Sequence, residues 1–273
     1  MTQPISYLFV PGNRPERFDK AFATDAGVII LDLEDAVVPA DKAGARDAIA
    51  NWVASHGDAA KRITVRINDT QSEWFADDLT MIRESGIGVV MLPKSEWREQ
   101  IDLVRATATQ AQVLALVETA RGIHNVDQIA TTEGVARLAF GTLDYAVDLD
   151  LSGDDAGLAY ASSRIAIAAR CAELPSPVAG VTPSVTDEAR VLADFAFARA
   201  FGFGAKMCIH PKQVDWIHAA CRPSAEDQAW AHRVLAAAEA SEGAVQLDGK
   251  MIDRPVVLKA QAIIARSHAG EPN

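Results

Sequence analysis

The amino-acid sequence predicts an α/β protein, a (β/α)8 TIM barrel with a C-terminal helical extension. Two observations carry this prediction: short apolar runs recur about eight times along the chain, and stretches with helical periodicity separate most of them. A third weakens the main rival. An open doubly wound sheet would recommend itself by a GxGxxG or Walker A stretch, and the sequence contains neither. Eight strand–helix units can close on themselves and leave no exposed edge. The 273 residues suit one such barrel with an appendage, and an apolar fraction of 49% can fill its core.

Taken in order, the runs are SYLFV, VIILDL, RITVRI, GVVML, QVLALV, ARLAF, PVAGV and AKMCI. Each is brief and most are β-branched or Leu-rich, as expected of parallel strands buried on both faces. Between them, helical patterning is clearest over Pro39–Ala54, Ser72–Ser85, Ser95–Ala108, Ile123–Thr131, Ala156–Ala172 and Asp187–Phe201. After Arg222 the pattern changes. SAEDQAWAHRVLAAAEASEG is Ala-rich and helical, GAVQLDGKMID reads as a hairpin or loop, and RPVVLKAQAIIARSHAG as another helix. Residues 1–222 are therefore assigned to the barrel and residues 223–273 to the extension.

Lys and Arg number 26 against 37 Asp and Glu, a formal net charge of -11, which argues against nucleic acid or an anionic membrane surface as the main partner. The start MTQPISYLFVPGNRPERF has no basic segment followed by a long apolar one, and no run is long enough to span a bilayer. The expectation is a cytoplasmic protein. Cys171, Cys208 and Cys221 are odd in number and lack CxxC spacing, so they read as buried small hydrophobes.

In a barrel of this kind, chemistry gathers where strands end. The residues following the runs are Pro11-Gly12, Asp32 with Glu34 and Asp35, Arg66 with Asn68, Pro93-Lys94, Glu118, Asp144, Thr182 and His210. Glu118 and Asp144 offer hard oxygen ligands of the kind Mg²⁺ or Mn²⁺ prefers, and Glu34 and Asp35 could bond the waters of such an ion. Solvated acids preceding helices would look the same. Arg66 would point into the barrel mouth, either to grip a carboxylate or enolate oxygen or to form a structural ion pair. Arg14, Arg17 and Lys20 recur about once per helical turn, which predicts one basic helix face for a nucleotide phosphate or for solvent. Lys94 could form a Schiff base, though ion pairing is the commoner use of a single lysine. His210 reads as a hydrogen-bonding residue.

SYLFVPGNRPERFDKA, ILDLEDAV, VRIN, VMLPKSE, ETARGIHNVDQIA, FGTLDYAVDL, SSRIAIAARCAELPSPVAGVT, GFGAKMCIHPKQV and GAVQLDGKMIDRPV cover nearly the whole chain. Through their order and spacing the chain resembles the citrate lyase beta-chain family of the HpcH/HpaI aldolase superfamily, most of all its stand-alone acyl-CoA lyases. Ala205 in GFGAK departs from a family that often has glycine there, with an effect expected only on local backbone packing. The resemblance implies Mg²⁺ on Glu118 and Asp144, with Glu34 and Asp35 holding its waters. It further implies Arg66 against the thioester or enolate oxygen and the Arg14, Arg17, Lys20 segment near coenzyme A. Asp253 would be a general base inserted into a neighbouring subunit's site, in a homotrimer or homohexamer whose extension packs on that neighbour. The implied reaction is Mg²⁺-dependent cleavage of a 3-hydroxyacyl-CoA (citramalyl-CoA, malyl-CoA or a citryl thioester) to acetyl-CoA and a 2-oxo acid. A citryl lyase beta subunit acting on an acyl-carrier-protein thioester, a Schiff-base aldolase and a non-catalytic ligand-binding barrel remain alternatives.

Overall fold

Eight parallel strands close into a barrel in chain order: β1 Ser6–Pro11, β2 Val28–Asp32, β3 Ile63–Arg66, β4 Val89–Leu92, β5 Gln112–Val117, β6 Val135–Phe140, β7 Val178–Ala179 and β8 Ala205–Cys208. Closure is made by β1 pairing with β8, from Ser6 opposite Lys206 to Leu8 opposite Cys208. The structure is a computed structural model and describes residues 3–153, 155–239, 245–247 and 249–268.

The inner faces pack Tyr7, Ile30, Met91, Leu114, Leu116, Ala139, Val178, Ala205 and Met207 into one cluster. Along each strand these positions alternate with residues facing the helices, the two-residue period that directs every second side chain inward. Ala205 lies inside this cluster, so its methyl group fills core volume where a glycine would leave a gap.

The helices of the barrel are α1 Phe18–Phe22, α2 Lys42–His56, α3 Phe75–Ser85, α4 Arg98–Thr107, α5 Ala120–His124, α6 Val126–Ala130, α7 Thr142–Asp148, α8 Ala156–Cys171, α9 Glu188–Ala200 and α10 Pro211–Cys221. The stretch predicted as one helix over Ile123–Thr131 is divided into α5 and α6. At the division Asn125 has φ −98° and ψ 7°, and its Nδ2 donates to Glu96 O at 2.9 Å, a bond that holds the break in place. The Pro39–Ala54 stretch starts as a 3-10 turn, because Pro39 can open a turn but supplies no N–H, and becomes α-helical at Lys42. Cys208 is buried as expected, whereas Cys171 is exposed on α8.

The chain forms two compact units, residues 3–217 and, from His218 on, the C-terminal unit. In the latter, α11 Ala225–Glu239, an antiparallel hairpin of β9 Val245–Leu247 and β10 Lys250–Ile252, and α12 Arg254–His268 enclose Ala231, Val234, Ile252, Ala260 and Ile263. The portions of the predicted tail elements at 240–244, 248 and 269–270 lie outside the described residues. No helix among the described residues is long and apolar enough to cross a membrane.

Candidate active site

The inward rows of the strands continue past the apolar core into charge. On β2 the row Ile30 leads to Asp32; on β5 the row Leu114, Leu116 leads to Glu118 just beyond the strand. β3 delivers Arg66, whose Cα is in register with that of Asp32. The same alternation that fills the core therefore aims these groups into the mouth, where a cavity of about 770 Å³ is lined by Asp32, Arg66, Glu118 and Asp144 among others.

On the β2–β3 side the charges are already joined. Arg66 donates from Nε to Asp32 Oδ1 and from Nη2 to Asp32 Oδ2, both at 2.7 Å, the paired geometry that a planar guanidinium favours. Its Nη1 lies 2.7 Å from Glu34 Oε2 and 3.4 Å from Asp35 Oδ2, and its face covers the Phe9 ring at 5.0 Å. Burial alone would lower the arginine pKa, but Asp32, Glu34 and Asp35 raise it above its ordinary value, so the cation persists. Asp32 also accepts the backbone N–H groups of Glu34 and Ala36, which shapes the following loop. The sequence marks Asp32 as a strand-end residue but gives it no role; its role is this pairing with Arg66. The contact of Arg66 with Glu34 Oε2 is ionic and not a directed hydrogen bond, and that oxygen is buried without a hydrogen-bond partner. Burial raises the Glu34 pKa to about 7, with Asp35 and Asp32 adding to the rise and Arg66 opposing it.

The β5–β6 side differs. Glu118 is 2% exposed, and its Oε1 accepts Lys94 N–H at 2.8 Å. Burial, and then the charges of Glu34 and Asp144, raise its pKa well above the ordinary carboxylate value, against the Lys94 N–H and Arg66, which lower it. Space for the carboxylate comes from Gly141, the next inward position after Ala139 on β6, because a β-carbon there would run into Glu118 Oε2. Asp144 is not the strand-end residue of the sequence reading but sits in the first turn of α7. It lines the same cavity. Among the described residues no group of three or more His, Cys, Asp or Glu side chains could hold a metal ion. Two hard oxygen donors fit Mg²⁺, which usually takes one or two carboxylates and fills its other positions with water or substrate oxygens. The raised pKa of Glu118 and the unbonded Glu34 Oε2 are further features that a dication would relieve.

Arg17 and Lys20 line the mouth cavity, with Lys20 on α1. Arg14, Arg17 and Lys20 do not share one helix, a correction to the spacing argument: Arg17 ends a 3-10 turn and Lys20 lies on α1. Pro15 opens a separate 3-10 turn, Pro15–Arg17, and leaves Arg14 ahead of it at φ −125°. Lys94 has the left-handed φ of 45°, and its Nζ lies 3.6 Å from Asp69 Oδ2. Burial would lower its pKa, but Glu34, Asp69 and Glu118 outweigh this and raise it, so the amine stays protonated and is a poor Schiff-base nucleophile. His210 Nδ1 accepts Lys212 N–H at the start of α10. Asp253 belongs to the C-terminal unit, where its Oδ1 accepts Val256 N–H and so caps α12.

Fold and rim together define a TIM barrel with an acidic and arginine-bearing mouth, a class of catalytic scaffold whose reacting groups stand at the strand ends. Within that class, the profile of HpcH/HpaI aldolase/citrate lyase matches residues 6–211, and the chain belongs to this family. It is 35% identical over 273 residues to a citrate lyase subunit beta-like protein of Mycobacterium tuberculosis, covering 97% of this chain and 95% of that one. It is 30% identical to a (3S)-malyl-CoA thioesterase of Cereibacter sphaeroides, covering 97% and 94%. The crystal structure of protein CitE from Mycobacterium tuberculosis in complex with magnesium, acetoacetate and coenzyme A superposes with a TM-score of 0.87 at 35% identity, covering 97% of this chain and 98% of that one.

Proposed function

We propose that the chain is a Mg²⁺-dependent carbon–carbon lyase, acting in the cytoplasm, that cleaves a 3-hydroxyacyl-CoA of the citramalyl-CoA, malyl-CoA or citryl type to acetyl-CoA and a 2-oxo acid. The observation that carries this reading is Glu118, a buried carboxylate opposed by the charges of Asp144 and Glu34 in the cavity that also holds Arg66. The magnesium and coenzyme A of the M. tuberculosis CitE complex support the choice of cofactor and thioester.

Glu118 and Asp144 would hold the metal, which when bound supplies positive charge beside the hydroxyl and carboxylate of the substrate. Glu34, beside Arg66, and Asp35 would hold the waters of that metal, and Glu34 would take the hydroxyl proton. The carbonyl of the departing oxo acid forms as the C–C bond breaks, and the bonding pair moves into the thioester as an enolate. Arg66 offers a fixed positive charge to that oxygen, a contribution commonly worth about 3 to 4 kcal/mol per donor. Its fork is already set by Asp32, so little reorganisation accompanies the reaction. Asp253, entering from a neighbouring subunit, gives a proton to the enolate carbon and takes one from the acetyl methyl in the reverse direction. Arg17 and Lys20, with Arg14 nearby in the chain, attract the phosphates of coenzyme A. Homotrimeric or homohexameric assembly, with residues 223–273 on the neighbour, is part of the proposal. The exposed apolar side chains of Val147, Tyr160 and Ile167 on α7 and α8 suit a surface covered by another subunit.

The test is a panel of citramalyl-CoA, malyl-CoA and citryl-CoA offered to the isolated chain with Mg²⁺ and then with chelator. Equimolar acetyl-CoA and oxo acid, lost with chelator and restored by Mg²⁺, is the expected result. Release of free CoA with an intact hydroxy acid would instead mark a thioesterase. Turnover only with added subunits and a carrier-protein thioester would mark a citrate lyase component.

A further inference from the structure

Lys42 is 4% exposed and belongs to none of the groups assigned above. It opens α2, and its ammonium donates to Leu33 O at 2.7 Å, Glu34 O at 3.0 Å and Asn68 Oδ1 at 2.6 Å. The first two acceptors belong to the peptide planes on either side of the Glu34 Cα. The first of those planes is also held from the other direction, by Glu34 N–H on Asp32 Oδ1, and the peptide before it by Leu33 N–H on Arg66 O. The third acceptor, Asn68, lies two residues beyond Arg66. It is fixed in turn by Asp78, whose Oδ2 accepts both Asn68 N–H and Asn68 Nδ2, while Oδ1 accepts Arg46 Nη1 at 3.0 Å. One helix thus supplies, at Lys42 and one turn later at Arg46, the two cations that anchor the loops after β2 and β3 from beneath. A buried ammonium bonded to three neutral acceptors is expensive to desolvate, and general stability alone would be met more cheaply by an apolar side chain.

We propose that Lys42 is a positioning residue for the reaction, holding the β2 and β3 loops in one register so that Glu34 and Arg66 face the substrate together. The inference rests on the lyase reading, because only there do Glu34 and Arg66 act on one substrate. Small displacements at such a site are costly, with about 100-fold in rate for 1 Å.

The test compares the full-length wild type with Lys42→Met and Asn68→Ser by steady-state kinetics on the acyl-CoA that the wild type cleaves, and by amide hydrogen exchange of residues 33–37. For Lys42→Met the expected result is kcat reduced by about 100-fold, KM within about threefold, and exchange at 33–37 faster by at least about tenfold. Asn68→Ser shifts both readouts the same way by less, and decides the matter if Lys42→Met does not fold. Folded variants with kcat and exchange within about threefold of wild type would overturn the proposal, as would a lowered melting temperature with unchanged kcat. Exchange is read whether or not any acyl-CoA is cleaved, so a wild type without lyase activity sinks the functional reading while the loop-holding role is still decided.

Discussion

The two sides of the barrel mouth are built on opposite electrostatic terms. On the β2–β3 side three carboxylates share one guanidinium, with Asp32 held by two bonds of 2.7 Å. On the β5–β6 side Glu118 receives a single backbone N–H, and Asp144 and Glu34 press on its charge. The first side is an ion cluster closed around Arg66, with only Glu34 Oε2 short of a hydrogen bond among its described buried atoms; the second has the character of a half-built cation site. A closed barrel affords both because its rigid strands hold charges in place that would separate if free to move.

Removing the cation from the first side should do the most damage. Arg66→Met leaves Asp32 with only the backbone N–H groups of Glu34 and Ala36 and takes the adjacent cation from Glu34, and a loss of about 3–5 kcal/mol in unfolding free energy is expected by denaturant titration. Turnover should also fall about 1,000-fold under conditions where the variant is folded. Stability close to wild type would mean that the cluster is not the anchor described.

Next in size is Asp253→Asn. Turnover should drop by about 100-fold or more with Mg²⁺ affinity unchanged, because the group is assigned to proton transfer. Equal loss of metal binding in a titration would remove that role. Mixing this variant with Arg66→Ala chains should restore part of the activity if subunits share sites, and no recovery after proven subunit exchange would count against sharing.

Gly141→Ala sharpens the contrast with a single methyl group. The new β-carbon displaces the Glu118 carboxylate, so Mg²⁺ affinity should weaken by about 10-fold or more while the Asp32–Arg66 pair is untouched. An unchanged affinity would show that the Glu118 position is not what the cation requires.

The smallest effect is a pH dependence. Glu34 has a folded-state pKa of about 7 against an ordinary value of 4.5, so between these limits the folded chain binds more protons than the unfolded one. Its contribution to stability is therefore present below pH 4.5 and is lost as pH rises to about 7. In metal-free buffer, Glu34→Gln should gain melting temperature relative to wild type as pH rises through this window, by about 2–4 °C per kcal/mol. A difference that does not change with pH would show that Glu34 is not strained.

Much of this was legible from the sequence because barrel strands report themselves twice. Runs such as QVLALV announce burial, and the residue that ends the run then inherits an inward direction from the two-residue period, which is how Glu118 and Arg66 could be named. Asp144 was named as well but for a less accurate reason, since it reaches the cavity from the first turn of α7 and not from a strand end. What stayed hidden depends on pairing across the fold. Nothing local to Asp32 says that it will meet Arg66, and nothing local to Lys42 says that its ammonium will bond two carbonyls of a loop eight and nine residues away. The division of Arg14, Arg17 and Lys20 between a 3-10 turn and α1 was by contrast local, and Pro15 was the cue.

The most direct measurement is calorimetric titration of the metal-free protein with Mg²⁺, alongside Glu118→Gln and Asp144→Asn. The account predicts one ion per chain for wild type, with affinity rising as pH rises because the buried Glu118 must ionise, and at least about 100-fold weaker binding in each variant. Wild-type affinity in either variant, at unchanged melting temperature, would contradict it.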